Sequence, residues 1–209
     1  MIYVNFKSKS LTDVIQVFGL IILSFATFLL ITLYVPSRNI DISSAIVIIY
    51  LPAIYIIYKK DVVSFKTSIK YPFSCKYTVI GTLFYVALYI INYYFIPVIS
   101  NLDILSKYTS IGVIVYLFVA CVIAPIVEEI IFRYFLYTKC KDVFGVSVAF
   151  IISNIVFVAF HCLDSNISNI AMQGVVYTYI YEKSKSLRSA IFVHIVNNSM
   201  WYLITYARQ

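Results

Sequence analysis

The chain is poor in charge, and what it has is unevenly signed. Only 12% of its 209 residues are charged, nine of them acidic against sixteen basic, and there are just two histidines and four cysteines. With 62% hydrophobic residues and a mean hydropathy of +0.93, this shortage of charge excludes an ordinary water-soluble core. It is the composition of a polytopic membrane protein. Cys75, Cys121, Cys140 and Cys162 form no CxxC pair and lie in or beside apolar runs, which excludes a zinc knuckle or a disulfide framework. They read as small buried apolar residues. The net charge of +7 does not indicate nucleic acid as a partner, because the basic residues fall in short segments between apolar runs, not along one face.

Apolar runs predict an all-α fold, a transmembrane bundle of about seven spans: Val14 to Val35, Ile42 to Tyr58, Tyr77 to Ile99, Ile111 to Tyr137, Gly145 to Leu163, Ile167 to Tyr181 and Ser189 to Tyr206. The first is too long for a signal-peptide core and lacks an Ala-x-Ala cleavage site, so it reads as retained. No repeat, linker or second domain is visible, and residues 1–209 read as a single membrane domain with a catalytic core at 111–206. The segment Lys59 to Lys76 carries five lysines against one acid, Asp61. Counting alternate sides, basic residues gather with it on the side of the N-terminus. The positive-inside rule therefore predicts a multi-pass cell-membrane protein with a cytoplasmic N-terminus.

Against this apolar background three polar clusters stand out. Glu128, Glu129 and Arg133 lie inside the fourth span, His161 closes the fifth, and His194, Asn197 and Asn198 lie in the seventh. A charged side chain at that depth carries an insertion penalty of roughly 2.5 to 3.5 kcal/mol, so an intramembrane acid is a functional hypothesis in its own right. Glu129 and Arg133 are i,i+4 and pair on one helical face, whereas Glu128 sits about 100° around the helix and stays free. A free carboxylate in a low-dielectric site suits a general base. An architectural ion-pair network is the competing reading of the acids and arginine. A satisfied interhelical hydrogen bond is the competing reading of each histidine. Pro125, three residues before the acid pair, predicts a kink or a helix restart.

The order Glu-Glu-x-x-x-Arg, then Phe-x-x-x-His, then His-x-x-x-Asn resembles the CPBP family of intramembrane endopeptidases, which comprises the CAAX proteases and bacteriocin-processing enzymes and is also called the Abi family. The likeness covers about Cys121 to Met200. It implies an endopeptidase that hydrolyses a peptide bond in a membrane-associated peptide or protein. By that resemblance Glu128 and His161 activate the attacking water, His194 and Asn198 stabilise the oxyanion, and Glu129 and Arg133 support them. No cofactor is implied. The alternative is zinc, since Glu128, His161 and His194 are also a two-histidine, one-carboxylate ligand set. Two non-catalytic alternatives stand beside the protease: a bacteriocin-immunity protein that acts by binding, and a membrane protein that handles protons or cations. The expected partners are the substrate and the lipid bilayer. One conflict remains in these boundaries, for they put His161 about 10 Å from the level of Glu128 and His194 along the membrane normal.

Overall fold

The computed structural model describes residues 11–20, 22, 23, 26, 42–60, 69–95, 110–161 and 167–207. Among these the chain is helical throughout, with no strand, and falls into seven helices. They are α1 (Leu11–Leu20), α2 (Ile42–Lys60), α3 (Cys75–Phe95), α4 (the run from Ser110 to Phe144), α5 (Val146–Ala159), α6 (Ile167–Ser184) and α7 (Leu187–Ala207). The all-helical fold predicted from the apolar runs is the one observed. The ends of the first, third and fifth predicted spans, and Cys162, lie outside the described residues.

Of these helices, Ile111–Phe144 is long and apolar enough by itself to cross a membrane, with 34 residues and an 18-residue stretch of mean hydropathy 2.5. Leu11–Leu20, Cys75–Ile91 and Val146–Ala159 are shorter apolar helices. At 1.5 Å per residue α4 is about 50 Å long, more than the roughly 30 Å of a hydrocarbon core. Its two halves differ accordingly. Ile111, Ile114, Val115 and Phe118 point outward, Ile111 at 76% exposure, whereas every residue from Ile130 to Tyr137 is buried. A helix apolar on all sides belongs in a bundle's interior, and α2, α5, α6 and α7 surround this stretch.

Two π-helical stretches, Val119–Ile123 and Ile130–Tyr137, bracket the α-helical turn Ala124–Glu129. Pro125 explains the first. Proline offers no backbone N–H, and the Ala124 N–H bonds back five residues to the Val119 carbonyl. The helix widens there and runs on. The kink or restart expected at Pro125 is thus realised as a π-bulge inside a continuous helix, a common accommodation at functional sites.

The fourth predicted span ends at Tyr137, before the polar run Lys139-Cys140-Lys141-Asp142. Instead the helix continues through those residues to Phe144, and the turn falls at Gly145. Gly145 has φ +83°, a conformation that L side chains rarely adopt. Its N–H bonds the Lys141 carbonyl, closing α4. This extension removes the depth conflict. Glu128 stands seventeen residues before Gly145 and His161 sixteen after it, so in an antiparallel hairpin both lie about 25 Å from the turn.

Helices α5 and α6 come into close contact at Gly174. A Cβ there would lie 2.7 Å from Asn154 Oδ1 and 3.1 Å from Phe157. A buried polar contact fixes the same seam, Thr178 Oγ1 donating to Asn154 Oδ1 (3.2 Å), while Ser153 Oγ ties α5 to α4 by donating to the Phe132 carbonyl (2.9 Å).

At the turn end of the α4–α5 hairpin, Glu182 gathers Lys141 Nζ (2.7 Å), Lys185 and the Tyr137 hydroxyl (2.9 Å). Partial burial pushes the Glu182 carboxyl up, but hydrogen bonds from Lys141, Lys185 and Tyr137 outweigh it and hold the group below its ordinary value. A depressed carboxyl contributes stability above its unfolded pKa and loses it as pH falls through the folded one. The melting temperature of Glu182→Gln protein in detergent should therefore lie below wild type at pH 7. The gap should close below about pH 4. A pH-independent gap would assign the effect to packing.

Candidate active site

Four helices meet around Glu129. Its Oε1 accepts from His194 Nδ1 of α7 at 2.9 Å and lies 3.2 Å from Arg133 Nη1, the ion pair expected from the i,i+4 spacing. Arg133, fully buried, donates from Nη2 to the Gly174 carbonyl of α6 at 3.2 Å. Its guanidinium also lies 4.3 Å from the Phe157 ring centroid and 5.3 Å from that of Tyr177. The Glu129 contact has ion-pair distance without hydrogen-bond alignment, for Arg133 Nε and Nη1 and Glu129 Oε2 have no hydrogen-bond partner among the described residues. Two aromatic faces make up part of the difference, a desolvated cation–π contact being worth about 2 kcal/mol.

Glu128 is used differently. It is 6% exposed, and its Oε2 lies 3.8 Å from His161 Nε2 and 3.7 Å from His194 Nε2. Both distances exceed a direct hydrogen bond. The structure therefore brings Glu128, His161 and His194 together from α4, the turn after α5, and α7. On the other ring edge, His161 Nδ1 lies 2.8 Å from the Phe157 carbonyl and His194 Nδ1 faces the Glu129 carboxylate. Those partners are acceptors, so Nδ1 carries the proton in each ring. The Nε2 edge of each ring faces Glu128. Glu128 Oε2 and the two ring nitrogens thus converge on one spot, with gaps that leave room for a water-sized group between them.

Asn198 stands slightly apart from this convergence. Its Nδ2 donates to the Ala120 carbonyl at 3.0 Å. That carbonyl would meet the residue-125 N–H in the π register, and Pro125 has none. Asn198 thus caps the orphan that the proline creates, one turn before Glu128. One amide N–H remains for other use.

Several residues around the site carried no signal in the sequence. Tyr177 stacks on His194, ring centroids 4.1 Å apart at 21°, and accepts from Asn197 Nδ2 at 2.7 Å. Asn197 Oδ1 accepts from the Tyr89 hydroxyl at 3.0 Å. Nothing distinguishes Tyr177 among twenty tyrosines, and Gly174 contributes only a carbonyl. Asn197, by contrast, flanks His194 in sequence.

Residues 110–200, a little under half of the chain, match the family model described as Type II CAAX prenyl endopeptidase Rce1-like. Over this segment the chain is similar to that family, whose members are membrane-embedded proteases, and the match supports the resemblance carried by the three motifs. No curated protein and no solved structure matches the chain.

The Asn198 cap yields a test. Asn198→Ala leaves the Ala120 carbonyl unpaired and should destabilise the protein by about 1 to 3 kcal/mol. In a Pro125→Ala background the loss should shrink, because residue 125 regains an N–H able to reach that carbonyl. A double-mutant cycle on thermal unfolding in detergent measures the coupling. Strictly additive effects would show the two residues to be independent.

Proposed function

We propose that the chain is an intramembrane endopeptidase that cleaves a membrane-associated peptide or protein with a water held by Glu128 and His161. The observation that carries this reading is the convergence of Glu128 Oε2 with the Nε2 atoms of His194 and His161, at 3.7 and 3.8 Å. These gaps suit a water molecule that donates to the carboxylate and to His161. As the water attacks the scissile carbonyl carbon, Glu128 accepts its proton and later passes it to the departing amine. In its doubly protonated form His194 donates from Nε2 to the developing oxyanion, with the remaining Asn198 N–H as a second donor. Glu129 orients His194 through Nδ1 and balances Arg133. The reaction needs no serine or cysteine nucleophile.

Membrane passage of all seven helices, with the N-terminus and the turns at Gly145 and Lys185 cytoplasmic, completes the reading. The outward-facing Ile111, Ile114, Ile155 and Leu203, each more than 60% exposed, support it, since such side chains belong in lipid rather than water. Leader peptides or membrane proteins are the substrate class in view, with bacteriocin processing or immunity as one setting.

Glu128→Gln, His161→Ala and His194→Ala should each abolish cleavage with the protein still present in the membrane. Glu129→Ala should act otherwise, lowering abundance, because an unpaired buried arginine costs about 3 to 5 kcal/mol. Comparing the membrane proteome of a deletion strain complemented with wild type or with Glu128→Gln reads both substrate and dependence. Wild-type processing by the Glu128→Gln chain would sink the assignment.

The donor set of Glu128, His161 and His194 is also one that zinc accepts, although no three His, Cys, Asp or Glu side chains among the described residues are grouped to hold a metal. We expect activity to survive exhaustive chelation of the purified protein. Chelator-sensitive activity restored by stoichiometric zinc would make Glu128 a ligand instead of the base.

Orientation is tested with Lys183→Cys, an exposed position beside the α6–α7 turn, in a background without other cysteines. An impermeant maleimide should leave it unlabelled in intact cells and label it after lysis. Labelling in intact cells would invert the topology.

A further inference from the structure

A groove of about 360 Å³ lies where α4 and the first turns of α7 meet the residues just before α3. From α4 it is lined by Ile126 and Ile130, each two residues from Glu128 and so about 200° around the helix from it. A peptide seated there faces away from that carboxylate. The outer wall is Phe73, from the segment before α3, and Phe192 of α7, whose rings meet edge to face at 5.6 Å. Both rings are exposed. The Ser74 N–H donates to Ser189 Oγ at 2.9 Å and pins that segment to the first turn of α7. The groove is thus built by the packing itself.

Arg188 is the one charged residue among its lining, and the rest is apolar. It is exposed, and among the described residues no carboxylate pairs with it. The nearest acid in sequence, Glu182, is taken by Lys141, Lys185 and Tyr137. On α7 the lining runs from Leu187 to Ile195, so apolar surface extends about 10 Å beyond Arg188. Exposed Lys70 follows Ile69 in sequence, and exposed Lys183 and Lys185 stand by the α6–α7 turn. The charged end of the groove is therefore basic. A fitting ligand is anionic at one end and apolar along the rest of its length. A guanidinium takes a phosphate with two parallel hydrogen bonds, and basic pockets between membrane helices suit lipid headgroups. Inorganic phosphate would leave the apolar walls bare, and a second copy of the chain, itself +7, would bring more positive charge to the same place. We propose that this groove binds one anionic phospholipid, with its phosphate on Arg188 and an acyl chain along Ile191 and Ile195. The site rests on the membrane reading above and is independent of hydrolysis.

The test uses full-length protein in detergent micelles and phosphatidylglycerol with a photoreactive diazirine in its acyl chain. Phosphatidylcholine with the same chain is the neutral-headed control, and labelled residues are located by mass spectrometry. Phosphatidylglycerol should label the groove, at residues 126–130 and 191–195, with an apparent Kd about 10- to 100-fold tighter than phosphatidylcholine. Arg188→Gln should abolish that preference with Tm unchanged in the absence of added lipid, whereas Lys183→Gln should keep it. Equal labelling by the two lipids, labelling only outside the groove, or a preference that survives Arg188→Gln overturns the site. Displacement of the lipid by inorganic phosphate makes it a free-anion site and overturns the lipid. A dimer in native mass spectra with an unlabelled groove assigns the surface to a second copy and does the same. Protein that stays soluble without detergent overturns the membrane reading and this site with it, while an active Glu128→Gln chain overturns hydrolysis alone.

Discussion

A guanidinium with no exposure in the middle of an apolar bundle must have its charge balanced and its donors directed, or the fold loses several kcal/mol. Arg133 obtains this from four sources: Glu129 one helical turn away, the Gly174 carbonyl, and the faces of Phe157 and Tyr177. Those partners come from α4, α5 and α6, and α7 joins through His194 on the same Glu129 oxygen. Compensating one buried cation therefore sets the relative placement of the four helices that build the site. Gly174 follows from the same demand, since α6 must come close enough for its backbone to be reached.

Placing two acids side by side in sequence gives them separate work in space. A 100° step around the helix turns Glu129 toward Arg133 and Nδ1 of His194, and turns Glu128 toward Nε2 of both histidines. His194 is held on one edge and open on the other. The chain thereby keeps one carboxylate paired to arginine and one facing both imidazole Nε2 edges within a single turn, the two kept apart by geometry.

Much of the fold was legible in the sequence because hydropathy reports helix existence directly, and all-helical character follows from it. Boundaries were less so. Lys139-Cys140-Lys141-Asp142 looks like a loop by polarity, but a helix emerging from the apolar zone also turns polar, and the backbone continues to Phe144. Composition cannot separate those cases; a glycine able to adopt positive φ can, and Gly145 does. At the site, Glu128, His161 and His194 were legible because charge and imidazole are rare in apolar runs. Tyr177 was not, since a residue type used twenty times carries no signal by its presence. Nor was the bond from Asn198 to Ala120, which depends on a missing N–H five residues further along.

The α4–α5 hairpin measures length. Glu128 and His161 meet because two arms of nearly equal residue count fold back at Gly145, and neither arm holds a loop in which a change could be absorbed. One residue inserted between Glu128 and Gly145 would turn the carboxylate by 100° and lift it by about 1.5 Å, with no compensating slip in the other arm. Substitutions inside this stretch alter surfaces, but insertions and deletions alter register. The thirty-odd residues between Glu128 and His161 are therefore fixed in number, and only a paired gain or loss in both arms would leave the two groups facing.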